Sequence, residues 1–404
     1  MDVDWLVSEV GQAIISEALQ QSDPLVAVTT LRRSHPQIPS ELISQAVTQA
    51  GLRSSLTKRW GDGFANFVLT KDGIEQATRP NVARWRAKWI QERFGAHARV
   101  LDLTCGLGFD AIAMAQAGLK VSAIERDPIT AACASHNLAK YSVSVAVADC
   151  LDVVTSDFDV LFVDPMRRDP EASRALDGSQ KRIFNPELWS PSWSSIAELA
   201  SRKPVVCKVA PGIEDKFLQN WNTIWISADG DVVEAMAVSN GSGDRSALVI
   251  QGSEFWQSSK VTSAPIHITG EYLIVPDGAI TRAGALAEIC ELVAGGLVNE
   301  HIGWIVSNNS ELVSNLANHK PKLADVFQIV SQVKADEKAL ARSISEMPAS
   351  AITIMTRGMQ VDVPKLRKRI SPSLSSTAPE LVIGLYRHDG GNQALICRRV
   401  NPTY

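Results

Sequence analysis

The chain has 404 residues, more than a single hydrophobic core usually supports, so two or three domains are expected. Its apolar fraction of 45% and charged fraction of 21% are typical of globular proteins and exclude an intrinsically disordered chain. A formal net charge of −4 disfavours a protein that binds nucleic acid with its whole surface, but it allows a local basic patch.

The start of the chain and its cysteines bear on where the protein works. The N-terminus is acidic, whereas a secretory signal needs a basic start followed by an apolar run. No stretch approaches the roughly 20 apolar residues of a membrane-spanning helix. The six cysteines form no C-x-x-C pair, and no histidine lies near them at ligand spacing. We therefore predict a cytoplasmic protein with reduced thiols and no bound metal.

Residues 1–78 carry a helical pattern and no convincing strand. Apolar residues recur at the three- and four-residue spacing of a helix face, and prolines interrupt the pattern. This predicts a small N-terminal helical domain over residues 1–78. The apolar residues are Leu25, Val28, Leu31, Leu42, Ile43 and Val47, and the prolines are Pro24, Pro36 and Pro39.

Residues 79–262 alternate between short apolar runs and amphipathic stretches. Helical patterns fill the first two gaps, at 110–117 and 128–140, and Asp127 is the expected N-cap of the second helix. Such alternation predicts an α/β domain with a Rossmann-like, doubly wound parallel sheet. The five predicted strands span residues 99–103, 121–125, 143–148, 160–164 and 205–209.

Two further runs of strand type close this domain. They span residues 232–238 and 247–250, and the stretch between them, 239–244, is rich in glycine and asparagine. A short connection of this composition is typical of a hairpin. We therefore predict that the two runs pair with each other at the edge of the sheet.

Beyond residue 263 the pattern restarts, which predicts a smaller α/β domain over 263–404. A strand at 272–275, a turn at 276–278 and a helix at 284–294 come first. Residues 389–392 read Asp-Gly-Gly-Asn, a strong hairpin signal between the last two strands. The remaining predicted strands span 326–333, 351–355, 381–386 and 394–400, and the remaining helices span 337–345 and 364–369.

The sharpest local feature is the turn after the first strand of the sheet, which reads Asp102-Leu-Thr104-Cys-Gly106-Leu-Gly108. Glycines let the backbone approach a ligand closely, and the helix that follows begins with unpaired N–H groups. Gly106, Gly108 and Ala111 also fit the G-x-G-x-x-A pattern of a dinucleotide site. However, Asp102 would repel a diphosphate. Its carboxylate suits a cation instead, such as the ammonium of a methionine moiety beside a sulfonium.

Two more carboxylates follow the next strands. Glu125 ends the second strand, where it can accept hydrogen bonds from both hydroxyls of a ribose. Asp149 follows the third strand, where it can accept from the amino group of adenine. The carboxyl ends of parallel strands share one edge of a sheet, which is where open α/β sheets bind ligands. Together with Asp102, these residues predict a site for S-adenosyl-L-methionine.

These motifs resemble those of class I S-adenosylmethionine-dependent methyltransferases. More narrowly, nearly the whole chain is similar to bacterial methyltransferases that carry a C-terminal THUMP-like domain, and the core is more remotely similar to trimethylguanosine synthases. The resemblance implies a Rossmann-like methyltransferase fold and methyl transfer from S-adenosyl-L-methionine. It rests on residues 102–108, Glu125, Asp149, and the segments 73–79, 164–168 and 272–279.

The segment at residues 73–80 precedes the first strand by one helix. In similar enzymes such an element crosses the methionine end of the cofactor, so Gln76 and Thr78 are candidate ligands of its carboxylate or ribose. A structural interpretation is that Thr78 caps a helix over 81–92, with Pro80 in the first turn. The two interpretations are compatible.

The fourth strand ends in Asp164-Pro165-Met166-Arg167-Arg168. In amino-methyltransferases with an Asn/Asp-Pro-Pro-aromatic motif, the first residue and the proline carbonyl hold an exocyclic amine, and the aromatic ring stacks on the base. Asp164 and Pro165 retain the part that holds the amine, so we expect them to act by positioning. Met166 and Arg167 replace the second proline and the ring, so the motif provides no aromatic stacking.

The arginine pair has two interpretations. A guanidinium can stack on a base or pair with a phosphate, so Arg167 and Arg168 are candidate contacts to nucleic acid. The structural alternative binds the pair to Asp169, to Glu171 or to a helix C-terminus. Lys208 follows the fifth strand and faces the same edge of the sheet, but the sequence suggests no role for it.

A cationic run in the C-terminal domain bears on the substrate. Such a run on one face would contact phosphates, although composition alone favours a solvated helix face. The THUMP-like resemblance shifts the expectation to tRNA or rRNA, with guanine N2 as the favoured target. A catalytically inactive RNA-binding protein and a small-molecule methyltransferase remain alternatives. The cations are Lys365, Arg367, Lys368 and Arg369.

Overall fold

The structure is a computed structural model that describes residues 1–168, 182–259, 262–345, 347–370, 377–388 and 390–400. The chain divides into two compact units. The first consists of Met1–Trp221 and Met236–Ser242, and the second of Asn222–Ala235 and Gly243–Tyr404. None of the described helices is long and apolar enough to cross a membrane.

The first unit begins with helices, which confirms the helical prediction for this region. Side chains that accept from backbone N–H groups cap the first three helices, as expected for Asp and Ser at such positions. Pro24 occupies the first turn of the third helix and Pro39 precedes the fourth, so these prolines mark helix starts. The helices are α1 Val3–Val7, α2 Glu9–Leu19, α3 Pro24–Ser34 and α4 Ser40–Trp60.

Buried side-chain amides hold the segment that follows α4. Gln49 donates to the carbonyl of Leu69 and accepts from its N–H, at 2.6 and 3.0 Å. Asn137 pairs in the same way with Val68. Because each amide satisfies two backbone groups, the segment is fixed without being a strand. It leads into α5 Lys71–Gln76 and α6 Pro80–Phe94.

Five parallel strands form the sheet of the first unit, in the order β3-β2-β1-β4-β5. The strand order reverses at β1, which pairs with β2 on one side and β4 on the other. Ligands bind at such a switch point in open α/β sheets. The elements are β1 Arg99–Asp102, α7 Phe109–Gln116, β2 Lys120–Glu125, α8 Pro128–Leu138, β3 Ser144–Val147, β4 Val160–Val163, α9 Trp193–Arg202 and β5 Val205–Val209.

The predicted hairpin between residues 232–238 and 247–250 is wrong. These runs are β7 Asp231–Val238 and β8 Arg245–Gln251, and β6 Asn222–Ala228 lies between them in the sheet. Six of the seven residues of β6 are buried, so this strand takes the interior position. β8 runs parallel to β6 and forms its hairpin with β9 Glu254–Gln257. β7 neighbours β5 in the sheet order, and the division between the units falls within it at residue 235.

The rest of the second unit is a sheet of seven described strands, in the order β11-β12-β10-β13-β16-β15-β14. The predicted helix at 284–294 is confirmed as α11, but the sequence missed α10, which Asp277 caps where a turn was predicted, and it also missed β11, β12 and α12. The hairpin of β15 and β16 is confirmed, with Asp389 of its turn outside the described residues. The elements are β10 Tyr272–Pro276, α10 Gly278–Ala283, α11 Leu286–Val293, β11 Gly296–Asn299, β12 Ile302–Ser307, α12 Ser310–Ala317, β13 Ala324–Lys334, α13 Glu337–Ile344, β14 Ile352–Arg357, α14 Val363–Arg369, β15 Leu381–Tyr386 and β16 Gln393–Arg399.

Alternate residues of β15 face two apolar clusters, as expected for a strand covered on both faces. Leu381, Ile383 and Leu385 pack in one cluster with Leu366 of α14. Because Leu366 points into this core, the charged residues around it in α14 remain exposed. They are Lys365, Arg367, Lys368 and Arg369, of which Arg369 forms an ion pair with Glu337.

Candidate active site

A cavity of about 630 Å³ opens in the first unit at the carboxyl ends of its central strands. Side chains that follow β1, β2, β3 and β4 reach it, together with the segment around α5. Gly108, Pro165, Arg167 and Arg168 do not line its wall. The predicted site residues that do are Gln76, Thr78, Asp102, Thr104, Gly106, Glu125, Asp149 and Asp164.

Asp102, the last residue of β1, is fully buried on the cavity wall. Its Oδ1 accepts a hydrogen bond of 3.2 Å from the N–H of Thr104. Its Oδ2 has no hydrogen-bond partner among the described residues. Burial, and next the charge of Asp110, raises the pKa of Asp102 well above its ordinary value of 3.8. A buried carboxyl with one free oxygen fits a positively charged ligand, which would restore its charge.

The glycine turn and Glu125 fix each other. Gly106 has a φ of 53° and donates its N–H to Oε2 of Glu125 at 3.0 Å, while the N–H of Asp127 donates to Oε1 at 2.9 Å. Gly108 has a φ of 89° and is the N-cap of α7. Both positive φ values favour glycine. Each oxygen of Glu125 keeps a second lone pair, so the carboxylate can still accept from a pair of hydroxyls.

Asp149 follows β3 and lines the same cavity. Its Oδ1 accepts from the N–H of Leu151 at 3.0 Å, which orients the carboxylate. Leu151 and Cys150 also line the wall, so the acid has apolar neighbours. This combination suits a flat, partly apolar ring that presents an amino group.

The charge of the wall is strongly one-sided. One cation, Arg126, lines the described cavity together with seven carboxyl groups. Arg86 and Lys208 neutralise Asp110 and Asp164, but the other carboxyl groups still favour a cation over a diphosphate. The structure therefore favours the cationic ligand over the dinucleotide that the G-x-G pattern alone allowed. The carboxyl groups belong to Asp72, Asp102, Asp110, Glu125, Asp127, Asp149 and Asp164.

Asp164 lies on the same cavity, directly after β4. Its backbone N–H donates to the hydroxyl of Thr104 at 2.7 Å. Two backbone hydrogen bonds, of 2.8 and 3.2 Å, tie the next cavity residue, Met166, to Ser190. Trp189 and Ser190 line the wall beside them. The Asp-Pro-Met segment is thus held from the side of β1 and from the chain that leads into α9.

The two arginines of this motif differ in how firmly the protein holds them. Arg168 donates to the side chain and to the carbonyl of Glu75, both at 3.2 Å. Glu75 lies in the last turn of α5, so this contact matches the helix C-terminus of the structural interpretation. Asp169 and Glu171, its other suggested partners, lie outside the described residues. Arg167 lies 4.0 Å from Oδ1 of Asp164, and burial lowers the pKa of its guanidinium.

Thr78 does not cap the helix that follows it. The N-cap of α6 is Arg79, and no side chain caps that helix end. The Thr78 hydroxyl instead donates to Oδ2 of Asp110 at 2.5 Å and accepts from Nζ of Lys208 at 2.9 Å. Because its proton is given to Asp110, this hydroxyl cannot donate to a ligand carboxylate. Gln76, on the same wall, remains the candidate for that contact.

Sequence reasoning missed a buried polar chain behind the cavity. Asp110 forms an ion pair with Arg86, which is only 1% exposed. Lys208 forms another with Asp164. The sequence analysis placed Lys208 after the fifth strand, but it is the fourth residue of β5. A lysine inside an otherwise apolar strand was the available signal for the second pair. Asp110, the second residue of α7, gave no comparable signal, because acids are common in a first helical turn.

Three family models match separate parts of the chain. The model described as "Putative SAM-dependent methyltransferase" matches residues 65–185, and the one described as "THUMP domain-like" matches residues 324–399. A domain of unknown function matches residues 1–54. The first match contains every predicted cofactor-binding and catalytic residue, and the second contains the cations of α14.

Relatives and solved structures agree with these matches. An uncharacterized S-adenosylmethionine-dependent methyltransferase of Mycobacterium tuberculosis is 26% identical over 318 residues, which are 76% of this chain and 82% of the relative. The ribosomal RNA small subunit methyltransferase J of Stutzerimonas stutzeri is 33% identical over 179 residues, 39% of this chain and 62% of the relative. The crystal structure of a "putative methyltransferase" from Porphyromonas gingivalis W83 has a TM-score of 0.67 at 18% identity, over 96% of this chain and 98% of that one. This last likeness is one of fold.

Proposed function

Since the chain is an S-adenosylmethionine-dependent methyltransferase with a THUMP-like C-terminal region, we propose that it methylates an exocyclic amine of an RNA base, with N2 of guanine as the favoured target. The observation that carries this proposal is the position of Asp164. Its carboxylate shares one cavity with Asp102, and Thr104 contacts both residues. An acceptor held by Asp164 would therefore lie beside the cofactor.

The cofactor is S-adenosyl-L-methionine, and we assign its contacts from the chemistry of the wall. Asp102 would bind the ammonium group, because its free oxygen needs a positive partner. Glu125 would accept from the ribose hydroxyls and Asp149 from the adenine amino group. The backbone of Gly106 and Gly108 shapes the turn that admits the cofactor. Gln76 is the candidate for its carboxylate, whereas Thr78 and Thr104 act through the protein contacts described above.

At the acceptor end, Asp164 and the carbonyl of Pro165 would accept hydrogen bonds from the two N–H groups of an amine. This fixes the direction of the nitrogen lone pair, which is the main contribution that such a protein makes to the rate. When bound, S-adenosyl-L-methionine would supply the methyl group: the nitrogen would bond to the methyl carbon as the carbon–sulfur bond breaks, S-adenosylhomocysteine would leave, and the nitrogen would release its proton to solvent.

Three observations support RNA as the substrate. The C-terminal region is THUMP-like, and several relatives are named ribosomal RNA methyltransferases. Exposed cations on α14 can contact phosphates. Arg167 lies beside Asp164, where it can meet a base or a phosphate, while Arg168 supports the site through Glu75.

The proposal also includes a cytoplasmic location and domain boundaries at residues 78 and 262.

Nucleoside mass spectrometry of RNA tests this function. RNA is extracted from three strains and digested to nucleosides. The first strain has the gene, the second lacks it, and the third carries the Asp164→Ala variant as its only copy. The proposal predicts one N-methylated nucleoside that is present in the first sample and absent from the other two. Identical nucleoside profiles in all three samples would contradict it. Restoration by Asp164→Ala would contradict the role of Asp164 and leave RNA as the substrate.

A further inference from the structure

Lys208 is a buried cation that the assigned cofactor contacts leave unused. It is the fourth residue of β5 and only 4% exposed, between the fully buried Cys207 and Val209. Its Nζ donates to Oδ2 of Asp164 at 2.7 Å and to Oγ1 of Thr78 at 2.9 Å. A buried ammonium is costly unless it is paired and hydrogen-bonded, and here it is both.

The direction of these hydrogen bonds is determined. Thr78 gives its only hydroxyl proton to Asp110, and Asp110 is ion-paired with Arg86. The Thr78 oxygen can therefore only accept from Lys208. Positive and negative side chains alternate in this hydrogen-bonded series, so each group orients the next. The series runs from Arg86 through Asp110, Thr78 and Lys208 to Asp164. The ammonium of Lys208 is thus fixed between Thr78 and Asp164.

This arrangement distinguishes the two oxygens of Asp164. Lys208 engages Oδ2, and the Thr104 hydroxyl holds the backbone N–H of the same residue. Oδ1 is the oxygen that Lys208 leaves for another donor, with Arg167 at 4.0 Å. Without Lys208 the carboxylate could rotate, and either oxygen could face the acceptor.

We propose that Lys208 is a positioning residue that locks the Asp164 carboxylate so that Oδ1 receives the acceptor amine. This rests on the proposed function, in which Asp164 holds that amine. A lysine that merely filled space or stabilised β5 would leave the chemical step of the folded enzyme unchanged. A positioning lysine must change kcat while the cofactor still binds.

The test compares Lys208→Met with Lys203→Met in the full-length protein. Lys203 precedes β5 and donates its Nζ to the carbonyls of Ser156 and Phe158, so it is a bonded lysine away from the cavity. The probe is total RNA from cells that lack the gene, with labelled S-adenosyl-L-methionine. We expect Lys208→Met to lower kcat about 100-fold, the scale of a misplaced reacting group, with unchanged cofactor affinity by calorimetry. Lys203→Met should keep kcat, and equal kcat in both variants would overturn the proposal.

Chemical rescue separates positioning from folding. In Lys208→Ala, added methylammonium or ethylammonium should enter the vacated space beside Asp164 and recover part of kcat. The same salts should not raise the activity of Lys203→Ala or of Asp164→Ala. If Lys208→Ala is folded and binds the cofactor but no alkylammonium restores it, the charge beside Asp164 is not what the reaction needs.

A different readout applies if the wild-type enzyme transfers nothing to RNA, since the proposed function would then have failed by itself. The ¹⁵N spectrum of lysine-labelled protein reports the Nζ resonance of Lys208, assigned by its loss in Lys208→Met. This resonance should shift in Asp164→Asn and in Thr78→Val, and it should not shift in Asp159→Asn. A resonance insensitive to Asp164 and Thr78 would overturn the positioning role, whatever the substrate is.

Discussion

The backbone N–H of Asp164 donates a 2.7 Å hydrogen bond to the hydroxyl of Thr104, whose own N–H donates to Asp102. The residue that should hold the acceptor is therefore two hydrogen bonds from the residue that should hold the methyl donor. Methyl transfer depends on the distance and angle between donor and acceptor. This link between the ends of β1 and β4 fixes Asp164 relative to Asp102 before a substrate binds.

Asp164→Ala should separate binding from turnover. The variant removes one side chain from the acceptor end and leaves Asp102, Glu125 and Asp149 in place. We expect cofactor affinity close to that of the wild type and a kcat lowered about 100-fold or more. Calorimetry and methyl transfer to RNA measure the two quantities. Wild-type turnover in this variant would mean that the amine is held by another group.

Cofactor binding should release a proton. In the cofactor-free protein the pKa of Asp102 is raised, so this carboxyl keeps its proton at pH values where an ordinary aspartate is ionised. Because a positive ligand favours the ionised form of Asp102, the affinity for the cofactor should rise with pH. The rise begins above pH 3.8 and ends at the raised pKa of Asp102. Calorimetry at one pH within this range, in buffers of different ionisation enthalpy, counts the protons released. Asp102→Asn should abolish the release, and a release that persists would assign it to another group.

The same shift predicts a more stable cofactor-free variant. A carboxyl whose pKa is raised on folding favours the folded state at low pH, and that contribution is lost as pH rises through the folded pKa. Asp102→Asn removes this loss, so the melting temperature of the cofactor-free protein should increase at neutral pH. About 1 kcal/mol of relief would raise it by roughly 2–4 °C for a domain of 150–250 residues. A variant less stable than the wild type would show that burial does not strain this carboxyl.

A pair of glycine substitutions should have opposite effects. Gly108 has a φ of +89°, and a Cβ there would lie 2.9 Å from the side chain of Leu138, so Gly108→Ala should cost about 1–3 kcal/mol. Gly51 lies exposed within α4 with nothing near an added Cβ, so Gly51→Ala should stabilise by about 0.5–1 kcal/mol. Denaturant unfolding measures both. Similar effects at the two positions would contradict the geometry of the turn.

Neutralising the cations of α14 should weaken RNA binding. Each phosphate contact that is lost lowers the slope of log affinity against log salt by about 1, so a triple variant should lower it by about 2–3. Filter binding over a salt series measures this slope. A control variant with the same change in charge, made at cations of α3, α4 and α6, should keep the wild-type slope. Equal slopes for the two variants would show that α14 does not contact the RNA. The test substitutions are Lys365→Gln, Arg367→Gln and Lys368→Gln, and the control substitutions are Arg33→Gln, Lys58→Gln and Arg84→Gln.

The part of the site that the sequence predicted lies at strand ends. Asp102 and Glu125 end their strands and Asp149 follows one, and parallel strands place their carboxyl ends at one edge. Local order along the chain was therefore enough to bring these residues together. The contacts of Thr78 were not predictable in this way, because its partner Lys208 is 130 residues away and only packing brings them together.

The errors in the fold have the same origin. The two runs that became β7 and β8 had the composition of a hairpin, but the buried strand β6 takes the place between them. Strand order depends on which apolar surfaces are covered, and a local turn signal does not contain that information. The four-residue strand β11 was missed because so short a run has no clear period.

Titration of the cofactor-free protein with S-adenosyl-L-methionine in a calorimeter tests the central assignment most directly. The proposed site predicts binding to the wild type and a loss of about 100-fold or more in Asp102→Ala, because a charged hydrogen bond to the ammonium is removed. Asp159→Ala serves as the control, since this exposed carboxylate pairs with Arg99 at the opposite edge of the same sheet. It should bind as the wild type does. Unchanged affinity in Asp102→Ala would contradict the assignment of the buried carboxyl to the cofactor.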